Sequence, residues 1–243
     1  MFTAFIQARL GSKRLPEKVL LKLDTENTVL DKVYNQVKLS NSVKRIVILT
    51  STDEKDNRLV DYCLSKGYEV FRGDENNVLK RFINAADFFK EDVIFRICAD
   101  NPFISTNLIN KLAENYHKQD YLSFKVGSNP AIKTHFGIFT ELVSLSSLKK
   151  IDSILSVNSQ HREHVTSGIY TNTNEFKVKF LKYTVLKEKE LRLTLDDIED
   201  FDIIKNILRL ISYDVGFEYI RLMNEIPRDL KNRMKKQIKK YTK

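Results

Sequence analysis

The segment Phe2-Thr-Ala-Phe-Ile6 runs directly into Gln7-Ala-Arg-Leu-Gly-Ser-Lys-Arg-Leu-Pro-Glu-Lys18. Phe2 to Ile6 is apolar apart from Thr3, is short, and reads as a buried strand. The residues after it include Gly11, Ser12 and Pro16, which suit a tight turn, and four cations, Arg9, Lys13, Arg14 and Lys18. A turn needs the small residues and the proline; it does not need the charge. Gly11 and Ser12 let the backbone bend sharply and aim N–H groups at an anion. Arg9 would neutralise phosphate oxygens with a bidentate fork and Lys18 as a point charge. A solvated basic turn is the plain alternative, and Lys13 fits it. The loop is neither G-x-x-x-x-G-K-[ST] nor G-x-G-x-x-G.

Outward from this loop, short apolar runs alternate with helical patterns. Leu30, Val33, Tyr34 and Val37 share a helix face, and Arg45–Thr50 is a β-branched strand. Asp56–Ser65 reads as a helix closed by Gly67, Tyr68–Phe71 as a strand, Val78–Phe89 as a helix and Val93–Arg96 as a strand. Asn107–Tyr116 is helical and Tyr121–Phe124 a strand; Asp197–Leu210 and the last thirty residues return to helical pattern. Such alternation predicts a three-layer α/β fold around a mostly parallel sheet. Val126–Phe180 is less regular and suits an inserted β lobe or dimerisation arm. One domain, residues 1–230, with a basic C-terminal tail, 231–243, is the expected organisation.

In open sheets of this kind ligands bind beyond the carboxyl ends of the strands. Four strand-end segments therefore gain positional meaning: QARLGS, TSTDEKD, RGDENN and CADNP. Asp100, in the last of them, is either a strand-terminating turn residue or a ligand for a hard cation such as Mg²⁺. Asp196-Asp-Ile-Glu-Asp200 follows the apolar Leu191–Leu195; these acids suit a helix N-terminus, with Asp196 facing a site. His161-Arg-Glu-His164 has H-x-x-H spacing without an evident third ligand, so zinc is not expected. Arg162 is a candidate contact for an acidic substrate.

The 243 residues carry a net charge of +9 and 42% hydrophobic residues, enough for a packed core and pointing to an anionic partner. No apolar run is long enough to span a bilayer, and the start does not resemble a signal peptide. Cys63 and Cys98 form no metal-ligand spacing, so a reduced, cytoplasmic setting is expected. Lys231–Lys243 holds seven cations and no acid; a solvated helical tail is the plain reading, phosphate or lipid contact the other.

Taken together, these motifs resemble the cytidylyltransferases that activate acidic sugars, the acylneuraminate and keto-deoxyoctulosonate (Kdo) group, in the branch named after spore-coat polysaccharide biosynthesis protein F. The opening pattern I-x-A-R-x-G-S-x-R-L-P-x-K is matched by Ile6, Ala8, Arg9, Gly11, Ser12, Arg14, Leu15, Pro16 and Lys18. Likeness continues through Thr50–Asp53, Arg72–Leu79, Arg96–Pro102, Arg162–Thr166, Leu191–Asp196 and Glu199–Phe201, and the basic tail lies outside it.

The resemblance implies a Rossmann-like nucleotidyltransferase fold and Mg²⁺-dependent transfer of CMP from CTP to an acceptor hydroxyl. Gln7, Ala8, Arg9, Gly11, Ser12 and Lys18 would cradle the nucleotide, Thr52 and Arg72 would lie near the nucleoside, and Asp100 and Asp196 would hold the metal. Arg9, Lys18, Asp100 and Asp196 are the expected catalytic groups, and a homodimer is implied. Gly137, Glu141 and Arg162 are expected at the acceptor, where Phe139 replaces the acid of the pattern P-x-G-x-D-x-E; Asp197-Ile198 also replaces the usual Thr-Pro after Asp196. A small acidic or phosphorylated acceptor is therefore expected. The rivals are a nucleotidyltransferase of the same fold using another nucleotide and, in another class, a basic nucleic-acid-binding protein, whose binding would show a steep salt slope and survive loss of Asp100.

Overall fold

The computed structural model describes residues 1–184, 191–210 and 225–241. Four parallel strands, β1 (Phe2–Gln7), β2 (Val43–Ser51), β3 (Glu69–Gly73) and β4 (Val93–Cys98), lie in the order β3-β2-β1-β4. Helices α1 (Val29–Lys38), α2 (Asn57–Ser65) and α3 (Val78–Phe89) join them, and α4 (Thr106–Glu114) leads to β5 (Tyr121–Val126).

Period two along the strands builds three layers. Ala4, Ile6, Ile48, Phe95 and Ile97 pack on one face with α1, α4 and α7 (Ile198–Leu210). Phe5, Val47, Leu49 and Ile94 pack on the other with α3 and α5 (Leu145–Ile154). Each fully buried Phe, Leu or Ile contributes about 1.5–3 kcal/mol, so a strand such as β1, buried on both faces, has no solvent side on which to slip register.

Beyond β4 the sheet continues through β7 (Glu141–Ser144), antiparallel to both β4 and β5. It ends at β8 (Val178–Lys182), which runs parallel to β5. The short β6 (Asn129–Pro130) forms a hairpin with β5. The segment 126–180 therefore supplies β6, β7 and the start of β8 to the sheet. The rest of it comprises α5, α6 (Ser167–Thr171) and the connecting loops, among them the loop from 155 to 166.

Leu191, Leu193 and Leu195 are fully buried in an extended segment; the Leu193 N–H donates to His135 O (3.0 Å) and the Leu195 N–H to Asp100 O (2.9 Å). Gly137 lies against it with φ +67°. A Cβ there would stand 2.6 Å from the carbonyl carbon of Leu193, so both conformation and space require glycine.

The basic tail departs from expectation. Residues 228–241 form α8 (Arg228–Tyr241), and this helix packs on α7 instead of projecting into solvent: Leu230 and Met234 are buried and Arg233 pairs with Glu199 and Asp202. Of the last thirty residues, 214–224 and 242–243 lie outside the described residues.

Candidate active site

β1 has β2 on one side and β4 on the other, so strand order reverses there, the position at which open α/β sheets bind ligands. In register, Gln7 faces Leu49 and Cys98, and Thr50 faces Arg72. The ladder extends one residue further: Ala8 N–H donates to Leu49 O (3.0 Å), Ala99 N–H to Gln7 O (3.0 Å) and Thr52 N–H to Gly73 O (2.9 Å). The four strand-end segments are thus gathered on one edge of the sheet.

Asp56 fixes the shape of the loop after β1. It is buried, and its carboxylate accepts from the Leu10 N–H (2.8 Å), the Thr50 hydroxyl (2.8 Å) and both the N–H (3.1 Å) and hydroxyl (2.5 Å) of Ser51. Burial alone would raise its pKa, but the Leu10 N–H and the Ser51 and Thr50 donors hold it below the usual carboxylate range. Leu10 O in turn accepts from the N–H groups of Ser12 and Glu17. Gly11 stands open at the tip, where an added Cβ would meet nothing within 4 Å. Ser12 Oγ accepts weakly from the Leu15 N–H (3.4 Å).

Lys18 points from this loop into the space between the strand ends. Its Nζ donates to Asp100 Oδ2 (2.8 Å) and Leu195 O (2.7 Å) and lies 4.0 Å from Asp196 Oδ1. Asp196 is gripped from both sides, by Arg14 Nη2 on Oδ1 (2.5 Å) and Arg192 Nη2 on Oδ2 (2.6 Å). Arg192 is buried and also donates to both oxygens of Asp200 (2.8 Å each). Arg9 Nη2 meets Glu163 Oε1 (3.0 Å). Each cation of the loop that faces the site therefore rests on a protein carboxylate, the chemistry that a polyphosphate would replace.

A cavity of about 1540 Å³ opens beside these groups, lined by Asp100, Asp196, Arg192, Arg96, Gly137 and Tyr241 among others. Arg96 and Glu141 face each other across β4 and β7 and form a buried pair (2.5 Å). Glu141 Oε1 also accepts from the Tyr121 hydroxyl (2.5 Å) and the Thr166 hydroxyl (2.8 Å), while Arg96 Nη2 donates to Gln7 Oε1 (3.3 Å). Arg96 Nε has no hydrogen-bond partner among the described residues. Burial pushes the Cys98 thiol up to about 11, so it lines the wall as a neutral thiol and not as a nucleophile. His161 and His164 also line the cavity, with His161 Nδ1 2.7 Å from Ser167 Oγ.

The sequence candidates divide accordingly. Lys18, Asp100 and Asp196 converge, with Arg9, Gly11 and Ser12 on the same edge. The Gln7 side chain reaches Arg96, and Ala8 is buried beneath the loop. Arg72 braces the turn after β2, donating to Ser51 O and Asp53 O (2.9 Å each), with Thr52 exposed beside it. Gly137 lines the cavity. Glu141 is fully buried and acts on the cavity only through Arg96. Arg162 is not brought to the site: its guanidinium caps the end of α5, bonded to the Asp152 carboxylate, Leu155 O (2.8 Å) and Ser156 O (2.9 Å). Sequence reasoning assigned no role to Arg14, Asp56, Arg96, Arg192 or Tyr241. The available signal was an arginine inside an apolar run, at positions 96 and 192, since such a residue is seldom buried without a partner.

Asp100 and Asp196 present the carboxylate oxygens that Mg²⁺ takes. No group of three or more His, Cys, Asp or Glu fit to hold a metal occurs among the described residues. A two-carboxylate set fits a Mg²⁺ ion that completes its shell with water and nucleotide phosphates.

An open parallel sheet with a basic loop after β1 and opposed carboxylates at the switch point has the features of a nucleotide-handling α/β enzyme. The family model described as "Cytidylyltransferase" matches residues 3–235, and the chain belongs to that family. It is 40% identical over 216 residues to an uncharacterised protein of Methanocaldococcus jannaschii, covering 86% of this chain and 85% of that one. It is 34% identical over 232 residues to spore coat polysaccharide biosynthesis protein SpsF of Bacillus subtilis, covering 91% and 93%. The solved structure of a cytidylyltransferase from Leptospira borgpetersenii superposes with a TM-score of 0.80 at 29% identity, covering 92% and 93%. The fold is that of the Rossmann-like nucleotidyltransferases.

Proposed function

We propose that this cytidylyltransferase moves CMP from CTP to a hydroxyl of a small acidic sugar or related acceptor, with Mg²⁺, in the assembly of a surface polysaccharide or glycoconjugate. The convergence of Lys18, Asp100 and Asp196 at the switch point carries this reading. The acceptor oxygen forms a bond to the α-phosphorus, the bond from that phosphorus to the bridging oxygen breaks, pyrophosphate leaves and the hydroxyl proton is released. Such transfers need positioning and charge neutralisation more than a covalent nucleophile. Arg9, Lys18 and the N–H groups around Gly11 and Ser12 receive the triphosphate, and Thr52 and Arg72 shape the nucleoside side. Mg²⁺ between Asp100 and Asp196 would supply further neutralisation of phosphate charge.

Arg96, buried on the cavity wall with an Nε that is unpartnered among the described residues, and Arg192 favour an anionic acceptor. Arg162 has no part in this reading. The relationship to SpsF supports the polysaccharide setting. A homodimer that involves the segment 126–180 and a reduced, cytoplasmic setting for the free thiols Cys63 and Cys98 complete the proposal. No described helix is long and apolar enough to cross a membrane.

The test has two stages. With Mg²⁺, CTP is expected to raise Tm more than ATP, GTP or UTP. Pyrophosphate release is then screened across nonulosonic acids, Kdo-type acids and small phosphorylated metabolites. A shift with ATP or GTP and none with CTP overturns the nucleotide assignment; turnover only with phosphorylated acceptors replaces the acidic sugar.

A further inference from the structure

One residue of the α7 cap, Asp197, anchors the last turns of the C-terminal helix α8. Asp197 Oδ1 accepts from the Asp200 N–H (3.0 Å) and from Gln237 Nε2 (3.0 Å). Its Oδ2 accepts from Lys240 Nζ (2.7 Å) and the Tyr241 hydroxyl (2.7 Å). This latch delivers the Tyr241 ring to two guanidinium groups, with Arg192 Cζ 4.4 Å and Arg14 Cζ 5.0 Å from the ring centroid. These are the same two arginines that grip Asp196, one on each oxygen. Tyr241 and Ile238 also line the cavity that contains Asp100 and Asp196.

We infer that α8 is part of the active site and that Tyr241 is a positioning residue, its ring keeping Arg14 and Arg192 ordered beside Asp196. The inference rests on the nucleotide reading of the site given above. Arginine stacks on aromatic faces by cation–π attraction. Arg192 is buried and already fixed by Asp200, whereas the Arg14 side chain is 52% exposed. A long, exposed arginine without a platform samples many rotamers, and ordering it opposes ligand binding. The ring removes that cost in advance at the mouth of the nucleotide loop. Gln237, Lys240 and Tyr241 all follow residue 235, where the family match ends, so this support is a feature of the chain beyond the matched region.

The chain contains no tryptophan, so Tyr241→Trp in the full-length protein installs a single fluorescent reporter at the proposed position. Its emission is expected to be shielded from iodide and to change when CTP and Mg²⁺ are added. Calorimetry of CTP with Mg²⁺ then compares wild type, Tyr241→Phe and Tyr241→Ala. The phenylalanine variant keeps the ring and should bind within about twofold of wild type. The alanine variant should bind about fivefold more weakly, with Tm unchanged. If Tyr241 served only to anchor the helix through its hydroxyl, the two variants would weaken together. That result overturns the inference, as does wild-type affinity in Tyr241→Ala or an indole fully open to iodide. If wild type binds no CTP, the nucleotide reading falls and takes this inference with it. If wild type and Tyr241→Ala bind CTP equally, only this inference falls.

Discussion

Lys18 is the cation around which the site is arranged. Its Nζ reaches Asp100, Leu195 O and Asp196 from a side chain only 12% exposed, so a phosphate bound there would meet it in a largely desolvated setting. Charge stabilisation there is worth more than at a solvated position. Lys18→Ala is expected to cut CTP-dependent pyrophosphate release at least ~10²-fold while the protein stays folded; near-normal turnover with unchanged circular dichroism contradicts the assignment. Arg9 differs. Its partner Glu163 is half exposed, and such surface pairs contribute about 0–1 kcal/mol, so an incoming phosphate would displace Glu163 at little cost. Asp100 and Asp196 were legible in the sequence because each follows a short apolar run, and Lys18 because it closes the basic loop after the first strand. Arg162 was misplaced because nothing local reveals that its guanidinium turns back to cap α5.

At the scale of elements, the loop after β1 takes its shape from Asp56, which binds the Leu10 N–H to the end of β2. Asp56→Asn removes charge from a carboxylate that accepts four hydrogen bonds and is expected to destabilise the protein by about 1–3 kcal/mol at neutral pH. Because the folded pKa lies below the unfolded one, this stabilisation is fully present above the unfolded carboxylate pKa of about 4. It is lost as the pH falls through the lowered folded value. The gap in urea midpoint between wild type and Asp56→Asn should therefore be widest near pH 7 and begin to narrow as the pH falls below the unfolded carboxylate value of about 4. A gap independent of pH would show that the charge is irrelevant and only the shape of the side chain matters. Asp56 was readable only as the start of a helix, since its partners Leu10 and Thr50 come from other elements. The strands β1 to β5 were legible because each is a short apolar run between turn residues. β7 was not: four residues carry little periodicity, and its place between β4 and β5 is set by pairing with strands far away in sequence.

For the molecule as a whole, the net charge of +9 admits two classes of partner, and the distribution of the cations separates them. A nucleic-acid binder needs free cations spread along a face, able to release counterions from many phosphates. Here the cations nearest the strand ends converge on acids: Lys18 on Asp100, Arg14 and Arg192 on Asp196, Arg9 on Glu163. On the basic C-terminal helix, Arg233 and Lys240 face Glu199, Asp202 and Asp197. That arrangement suits one compact polyanion received at one place. The helix itself was legible from its pattern, but its docking was not, because Asp197 reads equally well as an ordinary acid at a helix start. Asp100→Asn separates the two classes. As a nucleotidyltransferase the protein loses CTP-dependent turnover with Tm kept within a few degrees, since Asp100 is partly exposed and its loss leaves Lys18 bonded to Leu195 O. As a nucleic-acid binder it would keep its affinity for duplex DNA or RNA, with log K falling steeply against log salt. Submicromolar duplex binding at 150 mM salt that survives Asp100→Asn, together with unchanged CTP turnover, would overturn the enzymatic role of this carboxylate.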